Sequence, residues 1–332
     1  MRLLVTGGAG FIGSAFVRNA LQGRLPDVEP SSLLVLDALT YAGTETNLTS
    51  VAGDPRLTFV EGDIRDGRLV RELVGVAGAP EVDAIVHFAA ESHVDRSLSA
   101  AEEFVSTNVG GTTTLLQAAL EAGVAKFVHI STDEVYGTIA QGSWREDHIL
   151  EPNSPYSASK ASSDLVARSF FRTHGLPVCI TRCSNNYGPH QFPEKAIPRF
   201  VTNLLDGGTI PLYGDGRNVR DWLHVDDHCR GIALVLTRGR AGEIYNIGGG
   251  TELSNRQLVD RLLEILGADE SVVVPVADRL GHDLRYSVDI TKIADELGYA
   301  PQVDFAEGLA ATVQWYRDNR HWWEPLKARV AQ

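Results

Sequence analysis

The chain has 332 residues, 43% of them hydrophobic and 22% charged, and a formal net charge of -13. That length suits one large or two moderate domains. The acidity argues against a nucleic-acid footprint, although a local basic pocket for a phosphorylated small molecule remains compatible with it. No apolar run reaches the ~18 residues of a membrane span, so no membrane partner is expected. A strand begins almost at once, which argues against a signal peptide. Cys179, Cys183 and Cys229 lack zinc-type pairing and leave an odd thiol in any disulfide scheme. A reduced, cytoplasmic location without a bound metal is the simplest expectation.

In chain order, Arg2–Thr6 reads as a strand and Phe11–Leu21 as the helix after it. Ser32–Asp37, Leu57–Glu61 and residues 84–88 read as further strands, and residues 104–122 as a long helix. Residues 126–131 form a fifth strand, 156–174 another long helix and 177–182 a sixth strand. Short apolar runs alternating with helical patterns predict an α/β fold, a Rossmann-type doubly wound parallel sheet. The second half is less regular, with helices at 198–205, 226–236 and 254–266 and strands at 243–247 and 271–276. It reads as a smaller mixed α/β substrate-binding domain. The cofactor domain is expected over residues 1–185, with a return segment at about 218–248, and residues 186–332 form mainly the substrate domain, so that the two interleave.

Gly7-Gly8-Ala9-Gly10-Phe11-Ile12-Gly13 follows a strand and opens a helix. Spaced glycines there allow a tight turn, close approach to a pyrophosphate and helix-sheet packing, with helix amides facing the phosphates. Asp37 ends the second strand, where a carboxylate accepts from both ribose hydroxyls and repels a 2′-phosphate; NAD is therefore expected over NADP. The spacing exceeds the usual ~20 residues because of the loop holding Pro26 and Pro30. Asp63-Ile64, after the third strand, could contact adenine or could cap a loop.

Thr132-Asp133-Glu134 places a hydroxyl and two carboxyls at the end of an apparently buried strand, a costly position for charge unless chemistry or pairing uses it. Two carboxyls in a poorly hydrated site repel, so one tends to keep its proton, which suits an elimination needing both an acid and a base. The sequence leaves open which is which, and a solvated loop pair or helix cap is the alternative. Tyr156 and Lys160 lie one helical turn apart on a common face. The ammonium is expected to draw the phenol pKa down from ~10 towards neutrality, making a base for a sugar hydroxyl.

These features resemble the extended short-chain dehydrogenase/reductase family, and more closely its branch of nucleotide-sugar 4,6-dehydratases. The resembling stretches are residues 87–97, 131–137, 156–160, 184–189, 220–227 and 278–286, so the likeness covers most of the chain. The Thr-Asp-Glu run is the specific element, since related epimerases and decarboxylases generally lack the adjacent acids. The resemblance implies NAD as a tightly bound cofactor and dTDP-glucose as substrate, in deoxysugar biosynthesis. By that likeness Tyr156 takes the carbon-4 hydroxyl proton, Glu134 the carbon-5 proton, and Asp133 protonates the departing carbon-6 hydroxyl. Thr132 would hold the carbon-4 oxygen, and Lys160 the nicotinamide ribose. The resemblance also assigns cofactor contacts to Gly7, Gly10, Phe11, Ile12, Gly13, Leu39, Thr40, Phe88, Ala89, Ala90, Ser92, Thr107 and Asn186.

Candidate substrate contacts are Ser92, Thr132, Asn185, Lys195, Pro211, Tyr213, Arg220, Asn255, Arg279 and His282. Asn185 and Asn186 end the sixth strand, where ligand crevices open in this fold, though a polar turn reads as well. The cations suit a diphosphate or, equally, surface ion pairs. Tyr213 could flank a base or sit in the core, and Asn255 follows a serine that reads as a helix N-cap. Trp315, Trp322 and Trp323 read as packing for a terminal helix, with no chemistry. A homodimer through the 104–122 and 156–174 helices rests on the resemblance alone. Competing classes are an epimerase or decarboxylase, an oxidoreductase releasing its reduced cofactor, and a non-enzymatic NAD-binding protein.

Overall fold

A computed structural model describes residues 1–278 and 283–330. It begins β1 (Arg2–Thr6), α1 (Phe11–Leu21), β2 (Ser32–Asp37), β3 (Leu57–Glu61), α2 (Gly67–Val74) and β4 (Ala84–His87). Next come α3 (Val94–Ser99), α4 (Ala101–Phe104), α5 (Thr112–Ala122), β5 (Lys126–Thr132), α6 (Pro155–His174) and β6 (Val178–Cys183). β7 (Asn185–Tyr187), α7 (Ala196–Leu205), β8 (Ile210–Tyr213), β9 (Val219–His224), α8 (Val225–Arg238) and β10 (Ile244–Ile247) follow. The chain closes with β11 (Glu252–Ser254), α9 (Asn255–Leu266), β12 (Val273–Val276), α10 (Thr291–Leu297), α11 (Phe305–Asp318) and α12 (Arg320–Val330).

Successive side chains of a strand face opposite ways, and both faces of this sheet are apolar. Leu3, Val5, Val35 and Val86 join one buried cluster with Phe16 and Ala233 from α1 and α8. Leu4, Leu36, Ile85 and Phe127 join another with Leu115, Leu116 and Ala167 from α5 and α6. Strands buried on both faces pair in parallel, and the sheet order is β3-β2-β1-β4-β5-β6-β10 with every pairing parallel. The order reverses between β1 and β4, which opens a crevice beyond their carboxyl ends. A second lobe has its own core around Phe192, Leu258, Leu309 and Trp323. Its β9 pairs in parallel with β7 and antiparallel with β11.

Several elements depart from the sequence expectations. The helix expected over 104–122 runs unbroken from Ala101 to Ala122, but its stretch Val105–Gly111, between α4 and α5, is π-helical. Gly110-Gly111 and the β-branched Val105, Thr107 and Val109 are weak helix formers. Asn108 there binds elsewhere, accepting from Glu91 N (2.8 Å) and donating to Ser159 Oγ (2.8 Å). Asn185 and Asn186 do not end the sixth strand; that strand stops at Cys183, and they begin β7, which pairs with β9 of the second lobe. In the 271–276 run only Val273–Val276 is strand. The short helix α2 carried no expectation, being brief and flanked by glycine.

Candidate active site

At the crevice, Gly7 has φ +70°, and a β-carbon there would lie 2.5 Å from Ala89 N. A β-carbon on Gly13 would meet Gly7 O at 2.2 Å, so α1 packs directly on the turn. Gly10 caps α1 without a side-chain hydrogen bond, leaving the helix amides for an anion. The Asp37 carboxylate accepts from Ala9 N (2.8 Å) and Leu39 N (2.9 Å), although burial pushes its pKa up. Phe11, Ile12, Thr40, Asp63, Ile64, Phe88, Ala89, Ala90, Ser92, Thr107 and Asn186 line the same cleft, while Leu39 stands behind it on Asp37. Asp63 is paired with Arg65 at 2.6 Å, which holds its carboxyl below the usual range. A turn that no β-carbon fits, uncapped helix amides and a carboxylate at the end of β2 suit a nicotinamide dinucleotide.

The cleft continues to Thr132, Asp133, Glu134, Tyr156 and Lys160. β5 delivers the first of these at its carboxyl end, and the chain turns at once into a 3₁₀ helix over Asp133–Tyr136. Ser154 caps α6 through a reciprocal capping box with Ser157, and Pro155 opens the helix. That fixes Tyr156 in the first turn, facing the strand end. Thr132 Oγ1 donates to Asp133 Oδ1 at 3.3 Å and shares the cleft with Tyr156.

The two acids are unlike. Asp133 is 2% exposed, and its Oδ2 has no hydrogen-bond partner among the described residues. Burial, then the charges of Glu134 and Asp221, raise its pKa well above the aspartate range, against a smaller opposing influence of Arg220. Glu134 is only partly buried. A neutral Asp133 beside an ionised Glu134 is the arrangement that burial favours.

Tyr156 corrects an expectation. Burial, and then the charge of Glu134, raise its pKa well above the ordinary phenol value rather than lowering it. Lys160 Nζ donates to Ile130 O at 2.7 Å, and burial lowers its pKa to about 8. The helical spacing brings both residues to the cleft, but burial, reinforced by the charge of Glu134, dominates the phenol.

Among the remaining candidates, Asn186 is oriented by His228, whose Nδ1 lies 2.9 Å from its Oδ1, and donates to Ser184 O at 2.9 Å. Asn185 Oδ1 is buried without a partner among the described residues, and Asn185 lines the cleft. Lys195 lines it too and donates to Ser92 O at 3.0 Å. Pro211, Tyr213, Arg220 and Asn255 lie outside the cleft lining. Pro211 and Tyr213 are on β8, paired with β12. Arg220 is buried, donates to Val219 O and Asp283 O, and lies 4.3 Å over the Tyr286 ring. Asn255 opens α9 behind its Ser254 cap. Arg279 and His282 fall outside the described residues.

Residues that sequence reading passed over also line the cleft: Tyr41, Glu91, Cys183, Ser184, Gln191 and Phe192. Asp221 was passed over as well. It is a buried carboxylate held by Gly249 N (3.1 Å) and Thr251 N (2.9 Å), and its charge reaches Asp133. An acid sharing a strand face with Val219 and Leu223 was a usable signal. Among the described residues no cluster of three or more His, Cys, Asp or Glu could hold a metal ion, and no helix is long and apolar enough to cross a membrane.

A doubly wound sheet with a dinucleotide turn, and Tyr-x-x-x-Lys facing a strand-end hydroxyl, define an extended short-chain dehydrogenase/reductase. Comparison with known proteins narrows this. The family model for GDP-mannose 4,6 dehydratase matches residues 4–312. A dTDP-glucose 4,6-dehydratase of Streptomyces antibioticus is 63% identical over 332 residues, covering 100% of this chain and 97% of the relative. A dTDP-glucose 4,6-dehydratase of Streptomyces venezuelae, solved with NAD bound, superposes with TM-score 0.95 at 68% identity, covering 98% of this chain and 100% of that one. A UDP-glucose 4-epimerase of Thermotoga maritima has TM-score 0.87 at 32% identity over 96% of this chain and 100% of its own. The chain belongs to the nucleotide-sugar 4,6-dehydratase family, on the side of the dTDP-glucose 4,6-dehydratases.

Proposed function

We propose that the protein converts dTDP-glucose to dTDP-4-keto-6-deoxyglucose, a step of deoxysugar biosynthesis, as a hydro-lyase that retains NAD. The observation that carries this reading is the contrast between buried Asp133 and partly exposed Glu134, in one cleft with Tyr156 and the glycine turn. Bound NAD would supply a hydride acceptor for sugar carbon 4 and a donor for carbon 6.

Tyr156 removes the carbon-4 hydroxyl proton as that carbon is oxidised, with Thr132 holding the oxygen. The resulting ketone acidifies the carbon-5 proton, which Glu134 removes. Asp133, kept neutral by burial, protonates the leaving hydroxyl at carbon 6 and one water departs, and Glu134 returns its proton to carbon 5 as carbon 6 is reduced. Lys160 keeps a positive charge beneath the phenol and holds the nicotinamide ribose. Asn185, Lys195 and Ser92 contact the nucleotide sugar at the cleft, and the family resemblance adds Arg220, Tyr213, Pro211, Asn255, Arg279 and His282 as contacts to the diphosphate and base.

In this reading residues 1–185 with a return segment at about 218–248 form the cofactor domain, and residues 186–332 mainly the substrate domain. The protein works in the cytoplasm, consistent with three buried free cysteines. It is a homodimer through α6 and the 104–122 segment, where Val105 and Leu165 are large exposed hydrophobics. Light scattering of the purified protein tests the dimer; a monomer mass would refute it.

Purified protein incubated with dTDP-glucose should yield a nucleotide sugar lighter by one water, without accumulating NADH. Unchanged mass with a galactose product would instead indicate an epimerase, and net NADH release an oxidoreductase. Failure to turn over any hexose nucleotide would overturn the enzymatic reading.

A further inference from the structure

Asn47 lies outside the cleft lining, in the 3₁₀ turn Glu45–Val51, yet its side chain reaches the cofactor turn. It is 2% exposed. Its Nδ2 donates to Ala9 O at 2.8 Å, and its Oδ1 accepts from Trp322 Nε1 at 3.0 Å. His190 Nδ1 stands 3.3 Å from the same oxygen, and Arg18 Nη1 donates to Asn47 O at 2.6 Å. His190 packs against Trp315 and Trp322, with ring centroids 4.5 and 5.3 Å away. Burial brings the His190 pKa down to about 3, so the ring is neutral and can donate through Nδ1.

Ala9 is therefore held from both sides. Its N–H is fixed by Asp37 and its carbonyl by Asn47, with Thr44 N also donating to that carbonyl at 3.1 Å. A helix near the end of the chain thus grips the turn that opens it. The two peptide planes that meet at Ala9, each fixed by a hydrogen bond, keep the neighbouring amides aimed at a phosphate without reorganisation. Opening the turn to release a dinucleotide requires breaking these buried bonds. Retention matters to a reaction in which the hydride taken from one carbon returns to another.

We propose that Asn47 and Trp322 are positioning residues, a clamp through which the C-terminal helix locks the pyrophosphate turn and slows NAD release. The inference rests on the reading of Gly7–Gly13 as the NAD turn. The test is the NAD content of purified protein and the rate at which bound NAD transfers to an excess of an NAD-consuming scavenger enzyme. Trp322→Phe keeps an aromatic ring in the cluster but removes the N–H together with part of the indole, so NAD should leave about 5- to 10-fold faster. Asn47→Ala should release it faster still, and added NAD should restore turnover to both variants. A purely packing role would instead lower the melting temperature of the cofactor-stripped protein and leave the release rate unchanged. Wild-type release rates in the folded variants overturn the clamp; should Asn47→Ala fail to fold, Trp322→Phe alone decides. Wild-type protein that neither carries nor binds NAD overturns the cofactor reading and the clamp together.

Discussion

Asp133 and Glu134 are neighbours in the chain, yet Asp133 is 2% exposed with an unpartnered Oδ2 among the described residues, while Glu134 remains partly exposed. The 3₁₀ turn after β5 creates this difference, because consecutive residues of a tight helix point in different directions. Both line the cleft, one buried and the other partly exposed. The charge of Glu134 then reinforces the proton on Asp133. A proton donor and a proton acceptor thus come from two chemically similar side chains, divided by burial.

Glu134→Gln should stop the reaction after oxidation of carbon 4, because an amide cannot take the carbon-5 proton. Loss of a general base typically lowers the rate about 10²–10⁴-fold. Rapid mixing with dTDP-glucose should show reduced-cofactor absorbance that rises and persists. Dehydration at the wild-type rate would remove Glu134 from the base role.

Asp133→Asn should impair elimination while stabilising the folded protein above the ordinary aspartate range. The sign follows from the raised pKa: between the unfolded value near 3.8 and the folded one, the native state holds a proton that the unfolded chain lacks. Wild-type stability therefore falls as pH rises through that window, by about 1.4 kcal/mol per pH unit at most. The asparagine variant lacks this dependence. Urea denaturation at several pH values should show its stability gaining on the wild type as pH increases, and a parallel pair of curves would contradict the assignment.

The features legible in the sequence were those set by local geometry. Gly7 and Gly13 belong to a turn whose steric demands fall within a few residues, and Tyr156 and Lys160 share a face because of helical spacing. What escaped depends on distant partners. Trp322 meets Asn47 across 275 residues, and Asp221 reaches Asp133 through a strand of the second lobe. The phenol expectation failed for the same reason: spacing places Lys160, but proton affinity answers to burial and to every nearby charge. The π segment at Val105–Gly111 was hidden because its sequence pattern is helical, while the bonds of the Asn108 side chain go to distant residues.

Lys160 should impose an alkaline limit on turnover. Burial lowers its pKa to about 8, so its positive charge fades across mildly alkaline pH. The pH profile of kcat/KM should fall on that side with a midpoint near this value. Lys160→Met should be far less active and show no such limb. A wild-type profile flat to well above pH 8, where the ammonium is largely neutral, would show that its charge is not required.

Asp164→Asn should act on both stability and this alkaline limb. Asp164 is 1% exposed and accepts from Arg182 Nε at 2.9 Å; Arg182, 3% exposed, also donates to Tyr136 OH at 2.8 Å. Burial alone would raise the Asp164 carboxyl, but Arg182 and His129 outweigh it and hold it below its ordinary value. Removing one member of a buried pair leaves the other uncompensated, a loss of about 3–5 kcal/mol. A depressed folded pKa contributes stability present above the unfolded aspartate value and lost as pH falls through the folded one. The gap between variant and wild type should therefore be widest near neutrality and narrow in acid. The charge of Asp164 also supports the Lys160 proton, so its removal should move the alkaline limb of kcat/KM to lower pH. A variant that loses stability but keeps the wild-type limb would confine Asp164 to holding Arg182.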